Sequence, residues 1–344
     1  MKVSVIYNSF SPSKVEAVDQ IADDDTEDSA VQVSAALKGL GYEVDLLEVL
    51  PDKIADIANI SADVIFNLCE WSGHDFPLGV EVIKTLEASG KIFTGGSSDN
   101  YLWSSKKELM KKLFDDNNLP TPGWFLYEQK GAIPNDFVFP AIVKPAWEHC
   151  AIGLDQHSVV SDQTALEKQL KTMSSKYQEP LIVEEFLEGD EYQVTVLEKE
   201  GHPWVLAPAE IVYSQLGGLL PMLTFNGKWL EGAPEGEISE LRIFSRGPSL
   251  KKEIETIAAN AFIRLACRDF VRIDMRESQG KVFILEVNVN PGLDWDMDYS
   301  MTLSAQNEGL NFKNLVNAIV QSALLRHDKV ANSSIPSSGR TLLL

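Results

Sequence analysis

Cysteine is scarce: Cys69, Cys150 and Cys267 are the only three in 344 residues. They are too few and too scattered for a disulfide framework or for zinc-ligand spacing. Positive charge is also short, with 30 Lys and Arg against 51 Asp and Glu and a formal net charge of −21. So acidic a chain is a poor partner for a nucleic-acid backbone or an anionic membrane, although a nucleotide site needs only local positive charge. No apolar run approaches the length of a membrane span. The opening M-K-V-S-V-I-Y-N-S-F has a strand pattern and lacks the apolar core and cleavage site of a signal peptide, so a reducing cytoplasm is the expected compartment. The turn after this strand holds no G-x-G-x-x-G, and no dinucleotide site is assigned there. Internal repeats and low-complexity tracts are missing too.

What is present is apolar residue, 44% of the chain, enough for two or three packed domains at this length. Residues 3–7 read as a buried parallel strand, and a helix over 29–40 follows. The acidic run Asp23-Asp24-Asp25-Thr26-Glu27-Asp28 precedes that helix, where negative charge suits its positive end. Strands at 42–49, 63–68 and 91–94 alternate with helices at 51–59 and 79–89, the pattern of a doubly wound α/β domain. A helix over 104–117 carries Lys106, Lys107, Lys111 and Lys112, and Pro120 and Pro122 mark a linker. Further strands are expected at 141–145, 180–183, 192–197 and 204–212, with helices at 165–174, 250–265 and 312–326. Residues 216–236 read as irregular; so long a loop suits a lid carrying Lys228 to an anion.

The densest chemistry lies in 271–295, V-R-I-D-M-R-E-S-Q-G-K-V-F-I-L-E-V-N-V-N-P-G-L-D-W. Strands at 270–275 and 282–289 flank a turn carrying Gln279-Gly280. Side chains alternate across a strand, so Arg272 and Asp274 share a face, as do Glu286 and Asn288, while Ile284, Val287 and Val289 supply apolar bulk. A solvated hairpin is the plain alternative, but an Arg beside an Asp in otherwise apolar strands favours a metal–phosphate site. Hard oxygen ligands of this kind suit Mg²⁺. Lys144 closes an apolar strand and must meet an anion or reach solvent. The loop A-W-E-H-C-A-I-G-L, 146–154, is of the small-residue kind that closes over phosphates with backbone N–H groups.

Three stretches, F-P-A-I-V-K-P (139–145), L-I-V-E-E-F-L-E-G-D-E (181–191) and R-I-D-M-R…F-I-L-E-V-N-V-N-P-G (272–292), in this order and spacing, resemble the ATP-grasp superfamily, most closely its D-alanine–D-alanine ligase branch. The likeness runs over about residues 3–320. It implies an α/β and α+β protein: an N-terminal doubly wound α/β domain (1–96), then a two-subdomain ATP-grasp fold (97–187 and 188–330) and a flexible tail (331–344). It also implies ATP and Mg²⁺, two ions in the family. By motif, Lys107 and Lys144 match the lysines on the ATP phosphates, and Glu184 and Leu187 lie at the adenine. Glu191 lies at the ribose hydroxyls, and Lys228 matches the lid lysine on the terminal phosphates. Asp274, Glu286 and Asn288 take the Mg²⁺ positions, Glu286 shared by both ions, and Arg272 the position that stabilises a tetrahedral oxyanion. Glu27 aligns with the glutamate holding the first substrate's amino group. Small-molecule carboxylate and amine substrates, no nucleic-acid or membrane partner, and a homodimer, common in the family, complete the expectation.

Departures from the family pattern sit at the substrate end. Family Gly-Ser-Ser appears as His149-Cys150-Ala151, trading a hydroxyl for a weakly donating thiol. Asn67-Leu68-Cys69-Glu70 and Gly73-His74-Asp75 stand near the family's His-Gly and Gly-Glu-Asp elements. Where the family carries a Ser-rich segment for the second amino acid's carboxylate, this chain carries Asp294, Asp296 and Asp298, which would repel one. The activity implied is a carboxylate–amine ligase working through an acyl phosphate, on substrates other than two D-alanines. Three alternatives stand beside it. One is an imine-forming ligase of the mycosporine-like amino acid type, activating a ketone or enol. The second is a true D-alanine–D-alanine ligase, and the third a non-catalytic nucleotide-binding module, against which Arg272 speaks.

Overall fold

The computed structural model describes residues 1–9, 11–13, 17–129, 131–214, 217–295 and 299–333, without the side chains of 17–25 and 330–333. Strands β1 (Lys2–Tyr7), β2 (Glu43–Glu48) and β3 (Val64–Asn67) form a parallel sheet in the order β2-β1-β3. Alternate residues enter opposite layers, as a pleated strand demands. Val3, Val5, Val64 and Phe66 share a core with Ala30, Val33 and Leu37 of α1 (Ala17–Lys38) and with the C-terminal helix. Ile6 and Ile65 share another with a 3₁₀ segment (Pro51–Asn59) and α2 (Phe76–Ala88). This is the expected doubly wound layer, with two corrections. Helix α1 begins at Ala17, so the acidic run lies inside it; nothing between residues 17 and 38 is Gly or Pro to stop it. The strand expected at 91–94 shrinks to one bridge, Ile65 to Phe93, between Gly90 and Gly95, both in the left-handed region at φ 65° and 94°.

Helices α3 (Ser98–Ser104) and α4 (Lys107–Asp116) replace the single helix expected over 104–117. The chain straightens at Lys106, φ −127° and ψ 101°, and the Lys107 N–H leaves the helix pattern to donate to the Ala146 carbonyl at 2.9 Å. An antiparallel sheet follows, β4 (Trp124–Tyr127), β5 (Ala141–Pro145), β6 (Val159–Val160) and β7 (Leu181–Glu185), in the order β4-β7-β5-β6. Helix α5 (Gln163–Lys176), capped by Asp162 on the Ala165 N–H, buries Leu166, Leu170 and Met173 against Ala141, Val143, Leu181 and Val183. By alternation the opposite face holds Ile142, Lys144, Ile182 and Glu184.

The third sheet contains β8 (Glu191–Lys199), β9 (His202–Val205), β10 (Ala209–Tyr213), β11 (Ser239–Ile243), β12 (Phe270–Ser278) and β13 (Lys281–Asn288). Its order is β11-β10-β8-β12-β13, with β9 also on β8. The strand expected over 204–212 is two, split near Pro208, which has no N–H to donate to a ladder. The stretch expected to be irregular contains α6 (Phe225–Trp229), capped by Thr224, and α7 (Pro234–Glu237). Helix α8 (Pro248–Arg264) packs Ile254, Ala258, Ala261 and Phe262 into one core with Tyr192, Val194, Val271, Ile273 and Met275. The alternate residues Gln193, Arg272, Asp274 and Arg276 are thereby turned to the other face. Helices α9 (Ser300–Asn307) and α10 (Phe312–Ser333) end the description; α10 continues past 326, and residues 334–344 of the expected tail lie outside the described residues. No helix among the described residues is long and apolar enough to cross a membrane.

Candidate active site

β12 and β13 join through Gln279 and Gly280, at φ 52° and 74°, the left-handed pair a tight two-residue turn requires. Arg272 pairs with Asn288 and Asp274 with Glu286, but Met275 pairs with Ile284, leaving Leu285 over as a bulge. On a regular strand Glu286 would share a face with Ile284, which is fully buried. The extra residue shifts the phase by one, so Glu286 and Asn288 face the same way as Arg272 and Asp274. The sequence alternation groups the four polar residues correctly; the bulge that permits it is a finding of the structure.

Arg272 grips Asp274 with two donors, Nε to Oδ1 at 2.7 Å and Nη2 to Oδ2 at 2.8 Å. The Asn288 carboxamide donates to Asp274 Oδ2 at 3.2 Å and Glu286 Oε1 at 3.3 Å. Burial raises the Asp274 carboxyl, and the facing Glu286 adds to this against the pull of Arg272. Burial alone would raise Glu286 as well, but Lys107, His149, Arg272 and Lys144 outweigh it and hold it down at about 2. Among the described residues no three His, Cys, Asp or Glu side chains could hold a metal by themselves, so a metal here depends on the Asn288 carboxamide. Turned over, that amide offers its oxygen beside two buried, mutually repelling carboxylates. This donor set fits Mg²⁺, which takes few protein oxygens and keeps its water and phosphate ligands.

These side chains line one end-to-end cavity of about 350 Å³, together with Lys107, Lys144, Lys228 and Glu191. Lys107 opens α4 and donates to the Glu148 carbonyl. Lys144 donates to Glu184 Oε2 at 2.8 Å. Burial alone would raise Glu184; Lys111 and Lys144 outweigh it and hold it at about 2. The 146–154 loop carries Cys150 and Ala151 at φ 55° and 62°, backbone that costs a side-chain-bearing residue on the order of 1 kcal/mol each. Gly153, at φ 80°, leaves room that a Cβ would lose by coming within 2.7 Å of Pro145 Cγ. The segment that carries Lys228 is strapped onto this loop: Trp229 Nε1 donates to the Cys150 carbonyl at 3.0 Å, and the Phe225 N–H to the Leu154 carbonyl at 2.9 Å. Lys228 lies 4.6 Å over the Trp229 ring.

At one end of the cavity Ile142, Leu154, Ile211, Met222 and Leu241 make an apolar wall. Glu191 stands beside it, accepting from the Tyr213 hydroxyl at 3.0 Å, and burial raises its carboxyl against the pull of Arg276. Leu187 is buried and not on the lining. Nor is Glu184, whose carboxylate is occupied by two lysines; this corrects its expected place against a base. The other end is lined by Thr26, Ser29, Glu70, Asn290, Tyr299 and Ser300. Glu27 is exposed and off the lining, because one residue along a helix turns the side chain by about 100° from Thr26. Asp294 also turns away: it is buried and accepts from Gln32 Nε2 at 2.9 Å. Asp296 and Asp298 lie outside the described residues.

Sequence reasoning missed Lys111 and Arg276. Lys111 is 1% exposed, and its signal was available: with Lys107, Met110 and Phe114 it forms the helical stripe that α4 buries. Arg276, two residues beyond Asp274 on the same strand face, lines the cavity and donates to the Gly189 carbonyl at 2.9 Å.

Residues 119–321 match the family model described as D-ala D-ala ligase C-terminus. The D-alanine–D-alanine ligase of Aquifex aeolicus is 30% identical over 297 residues, 84% of this chain and 92% of that one. The uncharacterised protein y4sG of Sinorhizobium fredii is 28% identical over 311 residues, 87% of this chain and 88% of the other. In three dimensions the chain resembles the D-alanine–D-alanine ligase of Bacillus anthracis, solved in complex with ATP, at a TM-score of 0.74 with 96% and 99% of the chains covered. At 18% identity that likeness speaks for the fold.

Proposed function

The chain belongs to the D-alanine–D-alanine ligase family of the ATP-grasp superfamily, and from that membership we propose that it spends ATP to join a small-molecule carboxylate to an amine. One observation carries this reading: three lysines, the Asp274–Glu286–Asn288 oxygens and Arg272 line a single cavity. On the same reading the chain divides at 96/97 and 187/188.

A carboxylate is a poor electrophile, because oxide is a poor leaving group. Lys107 and Lys144 hold the ATP phosphates and Lys228 reaches the terminal one from the lid, screening the repulsion between two anions. The apolar wall of Ile142, Leu154, Ile211, Met222 and Leu241 takes the base and Glu191 the ribose hydroxyls, while Glu184 orients Lys144. Mg²⁺ held by Asp274, Glu286 and Asn288 supplies further charge screening when bound. A substrate carboxylate oxygen attacks the γ-phosphorus, ADP departs and an acyl phosphate remains. A neutral amine then adds to the acyl carbon, and Arg272 steadies the oxygen that turns negative. Collapse expels phosphate, and the surplus amine proton leaves for solvent. The strapped lid keeps water from the acyl phosphate.

Two D-alanines are a second reading of the substrates. The buried Asp294 favours it, since that carboxylate is spent on Gln32 and does not face an incoming one. ADP release should need a carboxylate and an amine together, and should vanish in Asp274→Ala and Glu286→Ala. Unchanged turnover in either variant would sink the proposal; product mass separates a D-alanine dipeptide from another amide or an imine.

A further inference from the structure

Lys111 does not touch the cavity, yet every donor of its ammonium group is committed. Nζ lies 2.9 Å from Thr121 Oγ1, 2.8 Å from the Leu285 carbonyl and 3.2 Å from Glu184 Oε1. The Leu285 carbonyl belongs to the bulge residue, which no ladder partner opposes. Thr121 is itself fixed, donating to the Ile284 carbonyl at 3.1 Å. Lys111 is therefore held at one point between α4, β7 and the β13 bulge. The other oxygen of Glu184 accepts from Lys144 at 2.8 Å, and the Glu184 side chain is 2% exposed against 14% for Lys144. Two ammonium groups thus share one carboxylate, and of the two only Lys144 lines the cavity.

We propose that Lys111 is a positioning residue for nucleotide binding: by occupying one oxygen of Glu184 it leaves the three-group cluster with a net positive charge, which Lys144 presents to a phosphate. Without Lys111 the cluster is a neutral pair. Glu184 would then draw Lys144 inward with both oxygens and silence the cation that the phosphate needs. A buried carboxylate cannot be satisfied by water, so it takes whatever donors remain. The proposal rests on the ligase reading above, because it needs Lys144 to face a phosphate.

The test is calorimetric titration of the full-length chain with Mg²⁺ plus the non-hydrolysable ATP analogue AMP-PNP, and separately with adenosine. In Lys111→Met, AMP-PNP should bind about tenfold or more weakly, the loss of one charge-assisted phosphate contact, while adenosine stays within about twofold. Lys111→Met/Glu184→Gln removes the surplus carboxylate along with the lysine and should bind AMP-PNP more tightly than Lys111→Met. This double variant carries no unpaired buried charge and serves should the single one fail to fold; it is then expected to bind AMP-PNP within about tenfold of wild type. Parallel losses for AMP-PNP and adenosine, or a double variant no tighter than the single, would show Lys111 to be packing alone. A wild-type chain that binds adenosine but gains nothing from the phosphates would instead overturn the ligase reading, and this inference with it.

Discussion

Arg272 spends two donors of its guanidinium on Asp274 and still lines the cavity. A group that acts only on a charge appearing late in the reaction should matter for rate and not for nucleotide binding. Arg272→Met is expected to lose on the order of 10²–10³ in kcat while its AMP-PNP affinity stays within a few fold, as read by steady-state rates and calorimetry. Equal losses in both would move Arg272 to a binding role. Glu179 gives a second residue-scale test, through stability. Burial, with Glu148 and Glu108 adding, pushes its carboxyl from 4.5 to about 7, against the Trp147 N–H and Lys107. Between those two values the unfolded chain has released the proton that the folded chain keeps, so raising pH through that window costs stability. Glu179→Gln has no such proton, and its melting temperature relative to wild type should rise between pH 5 and pH 8. A difference that stays flat with pH would contradict the shift. Thiol labelling is simpler. Cys69 and Cys267 are buried and pushed up, Cys267 to about 12, whereas Cys150 is half-buried. Iodoacetamide should modify Cys150 first in the native chain, which peptide mass mapping would show.

At the scale of elements, the bulge in β13 decides which way Glu286 points. Deleting Leu285 would make Ile284 and Glu286 neighbours on a regular strand, and so on opposite faces, with Ile284 in the core and Glu286 still in the cavity. ADP release should therefore persist in the deletion variant. A deletion variant that folds but releases no ADP would show that the bulge does more than set the phase of the strand. This element also marks the limit of the sequence. Alternation of Arg272 with Asp274 and of Glu286 with Asn288 was legible, as was the Gln279-Gly280 turn. The odd residue was not, because a bulge leaves no compositional mark when the inserted residue is a leucine. The break between α3 and α4 was hidden for a similar reason: residues 106–113 are good helix formers, and a bond from Lys107 to the distant Ala146 overrides them. Trp229, by contrast, could be read only as part of a long loop; its tie to Cys150 is tertiary. Trp229→Phe keeps the ring and loses that bond, and should raise ATP hydrolysis without amide formation as the lid admits water.

Across the whole molecule, three short motifs from two sheets meet in one cavity, and their order along the chain was enough to name the family. The nucleotide side was legible because phosphate and Mg²⁺ demand particular residue types wherever they occur. The substrate side was not. Asp294 looked like a charge facing an acceptor, yet it is consumed by Gln32 on α1, 262 residues away. Glu27 looked like an ammonium ligand, yet the cavity takes its neighbours Thr26 and Ser29. A net charge of −21 coexists with a cavity lined by Lys107, Lys144, Lys228, Arg272 and Arg276, so the global balance says little about the local field. The central claim is that a substrate carboxylate oxygen becomes part of the released phosphate. It is tested most directly by running the reaction with a carboxylate substrate labelled with ¹⁸O and weighing the inorganic phosphate by mass spectrometry. Phosphate carrying one labelled oxygen per amide formed is the expected result; unlabelled phosphate, accompanied by equal amounts of amide, would contradict it.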